Sequence, residues 1–283
     1  TLLLIKRASR WGFCAPPNPD VPTHVMPIPL LGGVGILAGM APALIWLSLR
    51  DRTWLPVVGA LVCVVLLGLY KDRFQNPLSP VLQLIVQFAA ASLMVMGTGH
   101  VAVFNSPLLD KTLSVLLCVA IMNAINFIDV MDGLAAGVCG IMACLFAFVA
   151  WWQGNSSLTL LSLALAGGTV GFFFFNAPPA RIFMGDPGAF GLGLLLSAFL
   201  LTSPQEHGLS FLWRISLFAV PFADLAYTTL GRIASLRSPL LGGREHLSLK
   251  LLRSGRSNAR VLAYAYTLTL VAGVAGILTH FLS

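Results

Sequence analysis

Charge is scarce in this sequence. Only 10% of its 283 residues are Asp, Glu, Lys or Arg, whereas soluble domains carry roughly 25%. So little charge excludes an ordinary water-facing globular surface. Paired cysteines are missing too. Cys14, Cys63, Cys118, Cys139 and Cys144 contain no C-x-x-C and mostly sit in apolar blocks, which reads as small core or lipid-facing residues, not disulfides or metal ligands. No block alternates apolar and polar residues, so the strand signature of a membrane barrel is absent. No cleavable signal pattern is present. The chain opens Thr1-Leu2-Leu3-Leu4-Ile5 without a methionine, and the expectation is that part of a first span precedes it.

What is abundant is hydrocarbon. The chain is 57% hydrophobic, in blocks of about 16 to 24 residues, long enough to cross a bilayer core of about 30 Å. Spans are expected at about 30–49, 54–70, 80–97, 111–128, 134–152, 157–175, 188–202, 210–233 and 259–281, after the tail of another at 1–5. Between them, Pro16, Pro17, Pro19, Pro22, Pro27 and Pro29 exclude helix, so about 6–29 reads as an ordered or extended loop. Gly99 to Pro107 reads as a small hairpin. The expected fold is an all-α polytopic membrane protein. It has nine to ten transmembrane helices with cytoplasmic active-site loops, and residues 1–283 form one membrane domain.

Lys and Arg set the orientation. If the 6–29 loop is cytoplasmic, so are the loops at 71–79, 123–133, 176–187 and 234–258. That side then holds 13 basic residues, and the other side only Arg50, Arg52, Lys111 and Arg214. This is a strong positive-inside bias, and it accounts for the net charge of +7 without nucleic acid. Asp20, Asp72, Asp129, Asp132, Asp186 and Glu245 fall on the same side, and Asp224 alone looks intramembrane. A transporter would hold such groups near mid-bilayer. Acids gathered at one face point instead to chemistry between a cytosolic and a membrane-resident substrate.

The densest polar run is Asn123-Ala124-Ile125-Asn126-Phe127-Ile128-Asp129-Val130-Met131-Asp132-Gly133-Leu134, between two apolar spans. Ionisable groups at membrane depth are costly and therefore functional candidates. Asn123 and Asn126 are three apart, as are Asp129 and Asp132, and any helical turn puts each pair on one face. Asn and Asp also cap helices, but a cap needs one such residue, not four. A second cluster runs Pro178-Pro179-Ala180-Arg181-Ile182-Phe183-Met184-Gly185-Asp186-Pro187-Gly188. Its flanking glycines would let a phosphate approach the backbone, and a carboxylate plus phosphate oxygens is how Mg²⁺ is usually held. Lys71-Asp72-Arg73 ends one span, and Ser238 to Leu247 is a basic loop suited to an anionic nucleotide sugar or to lipid headgroups.

Together these residues resemble the polyprenyl-phosphate N-acetylhexosamine-1-phosphate transferases. Asn123 to Leu134 follows that family's N-x-x-N-x-x-D-G-x-D-G-L pattern, with Val130 in place of a glycine. Phe183-Met184-Gly185-Asp186 follows F-M-G-D, with Ala189 where Ser is usual. His24, Pro27, Pro29 and Gly32-Gly33 follow H-x-x-P-x-P-x-x-G-G. Pro221, Asp224, Ser238-Pro239 and Arg244-x-His246 are closer to the branch that starts cell-surface polysaccharides than to the peptidoglycan branch.

The resemblance implies transfer of a sugar-1-phosphate from a UDP-sugar to polyprenyl (undecaprenyl) phosphate. Mg²⁺, or Mn²⁺ in its place, is the implied cofactor, and UMP is released at the cytoplasmic face of a bacterial plasma membrane. By position it implies that Asp186 and Asn126 hold the metal and pyrophosphate. Asp129 and Asp132 shape the site with Asp72 and Lys71. Asn123 and His24 are substrate-binding, Phe183 packs on uracil, and Arg244 and His246 cover the sugar phosphate. A groove between spans takes the prenyl chain, and the implied assembly is a homodimer.

The departures fall in the same regions. Lys71 stands where the family has the first of two adjacent aspartates. A lysine cannot replace a carboxylate as a metal ligand, but it can hold a phosphate as a point charge. Gly243, Ser248 and Leu249 replace an Asp and two histidines of the closing loop. These losses define the alternative, a family member that binds lipid, nucleotide sugar or a glycan-assembly partner without catalysis.

Overall fold

The computed structural model describes residues 1–16, 27–74, 78–202, 212–238, 243 and 245–282. Twelve helices and two short strands follow in the order α1 (Leu2–Trp11), β1 (Cys14–Ala15), β2 (Ile28–Pro29), α2 (Gly32–Arg50), α3 (Trp54–Phe74), α4 (Pro80–Thr98), α5 (Pro107–Ile128), α6 (Leu134–Trp152), α7 (Ser156–Asn176), α8 (Gly185–Leu201), α9 (Leu212–Ser216), α10 (Ala219–Ala234), α11 (Leu247–Arg253) and α12 (Asn258–Leu282). Seven of them, α2 to α7 and α12, are long and apolar enough to cross a membrane. The chain is thus an all-α multi-pass membrane protein.

Local signals start these helices. Ser79 caps α4 by accepting from the Leu82 N–H at 3.2 Å, with Pro80 at its first position. Asn155 caps α7 from the Leu158 N–H at 3.0 Å. Each satisfies a donor that the first helical turn leaves free.

Three expectations change. Residues 1–5 are not the end of a helix: α1 continues through Lys6, Arg7 and Arg10 and stops at Gly12, whose φ is +74°. The non-helical loop therefore begins later than expected, and its described ends pair as antiparallel strands with Cys14 opposite Pro29. Gly99 to Pro107 is not a hairpin but a loop wrapped on Asp110. That buried carboxylate accepts from the N–H groups of Val103 (2.9 Å), Phe104 (2.8 Å) and Ser106 (3.2 Å). The apolar run at 210–233 is broken, since α9 ends at Ser216 and α10 starts at Ala219. Pro221 sits in the first turn of α10, where its missing N–H is tolerated.

The short helix α8 is the centre of the bundle. Every residue in it except Asp186 is buried, with α2, α3, α4, α5 and α6 around it. Its first turn is reached because α3 presents Gly68 there. A Cβ at Gly68 would collide with the backbone of Asp186 and Pro187, so only glycine lets the two helices touch backbone to backbone. Gly68→Val is expected to force them apart at about 1–3 kcal/mol, typical of overpacking. Thermal unfolding in detergent checks this, and an unchanged midpoint would contradict the close approach.

Candidate active site

The last turns of α3 and α5 and the first turn of α8 meet at Asp186. Asn126 Nδ2 donates to Asp186 Oδ1 at 2.8 Å. Lys71 Nζ lies 2.6 Å from Asp186 Oδ2, both side chains about one-fifth exposed. The Asp186 N–H donates to Asp72 Oδ2 at 3.2 Å. Gly185 makes this turn possible. Its φ is +74°, and a side chain there would strike the Leu30 carbonyl and the Asp72 carboxylate. A carboxylate at a helix N-terminus is also favoured by the helix dipole.

Asp129 closes α5 beyond its last turn, and the Gly185 N–H bonds it. Burial, and then the negative charges of Asp186 and Asp132, push its carboxyl well above the usual carboxylate range. Asp132 does not share a face with Asp129, because residues 129–133 are not helical. Asp132 is buried, and its Oδ2 accepts from the Ala180 N–H at 2.9 Å. It braces the loop before α8. Asn176 does the same from the other side, accepting from the Gly133 N–H and donating to the Ile182 carbonyl, both at 2.9 Å. Tyr266 Oη donates to the Gly133 carbonyl at 2.8 Å.

The other expected residues are spread around this centre. Asn123 is not at Asp186. Its Nδ2 donates to Gln87 Oε1 of α4 at 2.7 Å and to the Val119 carbonyl at 2.8 Å. Phe183 is built into the loop through its backbone, its N–H donating to the Pro29 carbonyl at 2.8 Å and its carbonyl accepting from the Gly32 N–H at 2.9 Å. His246 Nδ1 is 2.8 Å from Asp224 Oδ2, and the Leu247 N–H donates to Asp224 Oδ1 at 2.7 Å. The imidazole meets Phe127 edge-on at 5.5 Å, which docks it against α5. Arg232 lies 5.3 Å over the same ring, and Glu245 ties the loop to Arg232 and Arg237. His24 and Arg244 lie outside the described residues. Ser248 Oγ is buried without a hydrogen-bond partner among the described residues.

Gln87, Asn176 and Asp224 are contributors that sequence reasoning did not assign. Asp224 had a signal, as the lone acid inside an apolar run. Gln87 had a weaker one, a buried amide in a lipid-length helix.

The donors suit a hard cation. Asp186 and Asn126 supply oxygens, and Asp72 and Asp129 adjoin through backbone N–H groups. No three His, Cys, Asp or Glu side chains among the described residues form a metal cage. Mg²⁺ is usually bound by one or two carboxylates completed by substrate phosphates, so such a site fits it. Added positive charge would also relieve the repulsion that raises Asp129.

Comparison with known proteins gives a match to the model of glycosyl transferase family 4 over residues 54–204. A probable undecaprenyl-phosphate N-acetylglucosaminyl 1-phosphate transferase of Bacillus subtilis is 30% identical, covering 93% of this chain and 75% of its own. A decaprenyl-phosphate N-acetylglucosaminephosphotransferase of Mycolicibacterium smegmatis is 31% identical, over 92% and 73%. A phospho-N-acetylmuramoyl-pentapeptide-transferase of Mycobacterium leprae is 28% identical, over 89% and 72%.

The two loop aspartates are expected to behave oppositely. Asp132→Ala leaves the Ala180 N–H buried and unpaired, at about 1–3 kcal/mol of stability. Asp129 has a folded pKa above its unfolded value, so its ionisation opposes folding once the pH exceeds about 4. Asp129→Asn should therefore raise the unfolding temperature at neutral pH, with the gain shrinking as pH falls to about 4. Melting curves across pH check both.

Proposed function

The chain belongs to glycosyl transferase family 4, and from that premise we propose that it transfers a sugar-1-phosphate from a UDP-sugar to polyprenyl phosphate. The donor is a UDP-N-acetylhexosamine or close relative, the acceptor is undecaprenyl phosphate, and the product starts a cell-surface glycan. The observation that carries this reading is the meeting of Asn126, Lys71 and Asp72 on Asp186.

In the proposed reaction an oxygen of the lipid phosphate attacks the phosphorus that bears the sugar. A new pyrophosphate linkage forms, the bond from that phosphorus to the bridging oxygen breaks, and UMP leaves with the electron pair. Asp186 and Asn126 would hold Mg²⁺, or Mn²⁺ in its place. When bound, the cation supplies charge compensation to the pyrophosphate and the leaving UMP. Asp72 orients the acceptor phosphate or takes its proton; a phosphate monoester with a second pKa near 6 is already largely ionised at neutral pH, so a strong base is not required. Lys71 attracts phosphate as a point charge. Asp224 fixes His246 through Nδ1, and Nε2 donates to a phosphate oxygen when the ring is the imidazolium, with both nitrogens protonated. Arg244 joins His246 over the sugar phosphate, His24 and Asn123 support the donor, and Phe183 packs on uracil, all by resemblance.

An open groove of about 140 Å³ beside Asp224, lined by Ile128, Val220, Leu247, Leu251, Val261 and Leu268, suits part of the prenyl chain. In this reading α8 and the α9–α10 pair also cross the membrane, which makes nine crossings in one membrane domain. The basic excess supports a cytoplasmic site in a bacterial plasma membrane. Homodimerisation is proposed on the resemblance alone.

The test is transfer of radiolabelled sugar phosphate from a panel of UDP-sugars to undecaprenyl phosphate by purified protein. Product from one donor, lost with EDTA, is expected. Asp186→Asn should lower turnover by about a hundredfold or more, as removal of charge stabilisation does. Full activity in that variant would remove Asp186 from the mechanism, and UDP-sugar binding without product from the unaltered chain would favour a non-catalytic role.

A further inference from the structure

We propose that Lys71 is a resident cation which a divalent metal ion has to displace from Asp186. The inference rests on the metal assignment proposed above and concerns how this particular chain controls it. Both oxygens of Asp186 are engaged by donors, Oδ2 by the Lys71 ammonium at 2.6 Å and Oδ1 by Asn126 Nδ2 at 2.8 Å. Each oxygen keeps a further lone pair, so what opposes a metal at Asp186 is chiefly the positive charge already held at Oδ2. The two contacts are not equally dispensable. An amide has an acceptor as well as a donor, so Asn126 can turn and offer its own oxygen. A protonated lysine has three donors and no acceptor, and its charge repels a second cation at this distance. Lys71 is the group that leaves.

The ammonium is also built into place. It extends from the last turn of α3 and lies 5.0 Å over the ring of Phe190 in α8, a cation–π contact that adds to the ion pair. With both side chains about one-fifth exposed, the pair is less screened than a surface one. Metal arriving alone has to break this pair uncompensated. Metal arriving with a phosphate gives the freed ammonium a new anionic partner. Lys71 thus makes cation loading and phosphate binding mutually supportive.

The test uses Mn²⁺ alone as the probe, read by electron paramagnetic resonance on purified protein in detergent, without substrates. Lys71→Met is expected to bind Mn²⁺ about tenfold tighter than the unaltered chain, and Lys71→Arg to stay close to it. Lys71→Gln is a second neutral variant should the methionine not fold. Asp186→Asn is expected to lose binding. If the neutral variants bind no tighter while Asp186→Asn still loses binding, the displacement inference is overturned and the metal assignment stands. If Asp186→Asn binds as well as the unaltered chain, both are overturned.

Discussion

Negative charge confined at one end of a hydrophobic bundle is the constraint under which this structure is arranged. Asp72, Asp129 and Asp186 come from three stretches far apart in sequence, and each is turned toward the start of α8. Lipid offers such charges nothing. They persist because an ammonium, an amide and two backbone N–H groups are aimed at them. The loop braces at Asp132, Asn176 and Tyr266 have the same purpose at one remove, since they fix the backbone that supplies those N–H groups. Carboxylates so assembled favour a cation at this end of the bundle in a way that a neutral site does not.

Much of the fold was legible because hydropathy reports length directly. The runs that became α2 to α7 and α12 stood out as uninterrupted hydrocarbon, and their ends carried proline, Asn or Ser. The break between α9 and α10 was hidden because the residues on both sides of it are apolar; only Pro221 marked it. The persistence of α1 past Lys6 and Arg7 was hidden for the opposite reason. Charge ends a membrane span but not a helix, so an apolar run can stop well before its helix does.

The site was legible as a set of residue types and not as a set of contacts. Asp186 and Asn126 were paired on resemblance, and the structure brings them into hydrogen-bond contact. Spacing of three puts Asp129 and Asp132 on one face only if a helical turn joins them, but α5 has already ended at Ile128, and the two carboxylates have different partners, the Gly185 N–H and the Ala180 N–H. Asn123 and Asn126 do share a face, since both lie within α5, but Asn123, a turn deeper, has its amide partner in Gln87 and not in the Asp186 cluster. Pairings across helices depend on how the helices cross, and spacing within one helix carries no record of that.

The enclosure of α8 has a bearing on the surrounding bilayer. A helix of 17 residues is shorter than a typical membrane span, and exposed to lipid it would tilt, or draw the membrane thinner, to match it. Walled in by its neighbours, α8 touches no acyl chain. Changes in membrane thickness or fluidity act first on the outer helices and reach the reactive end of α8 only through protein. The chemistry is in that sense insulated from the lipid composition of the cell, even though one of its proposed substrates is itself a lipid.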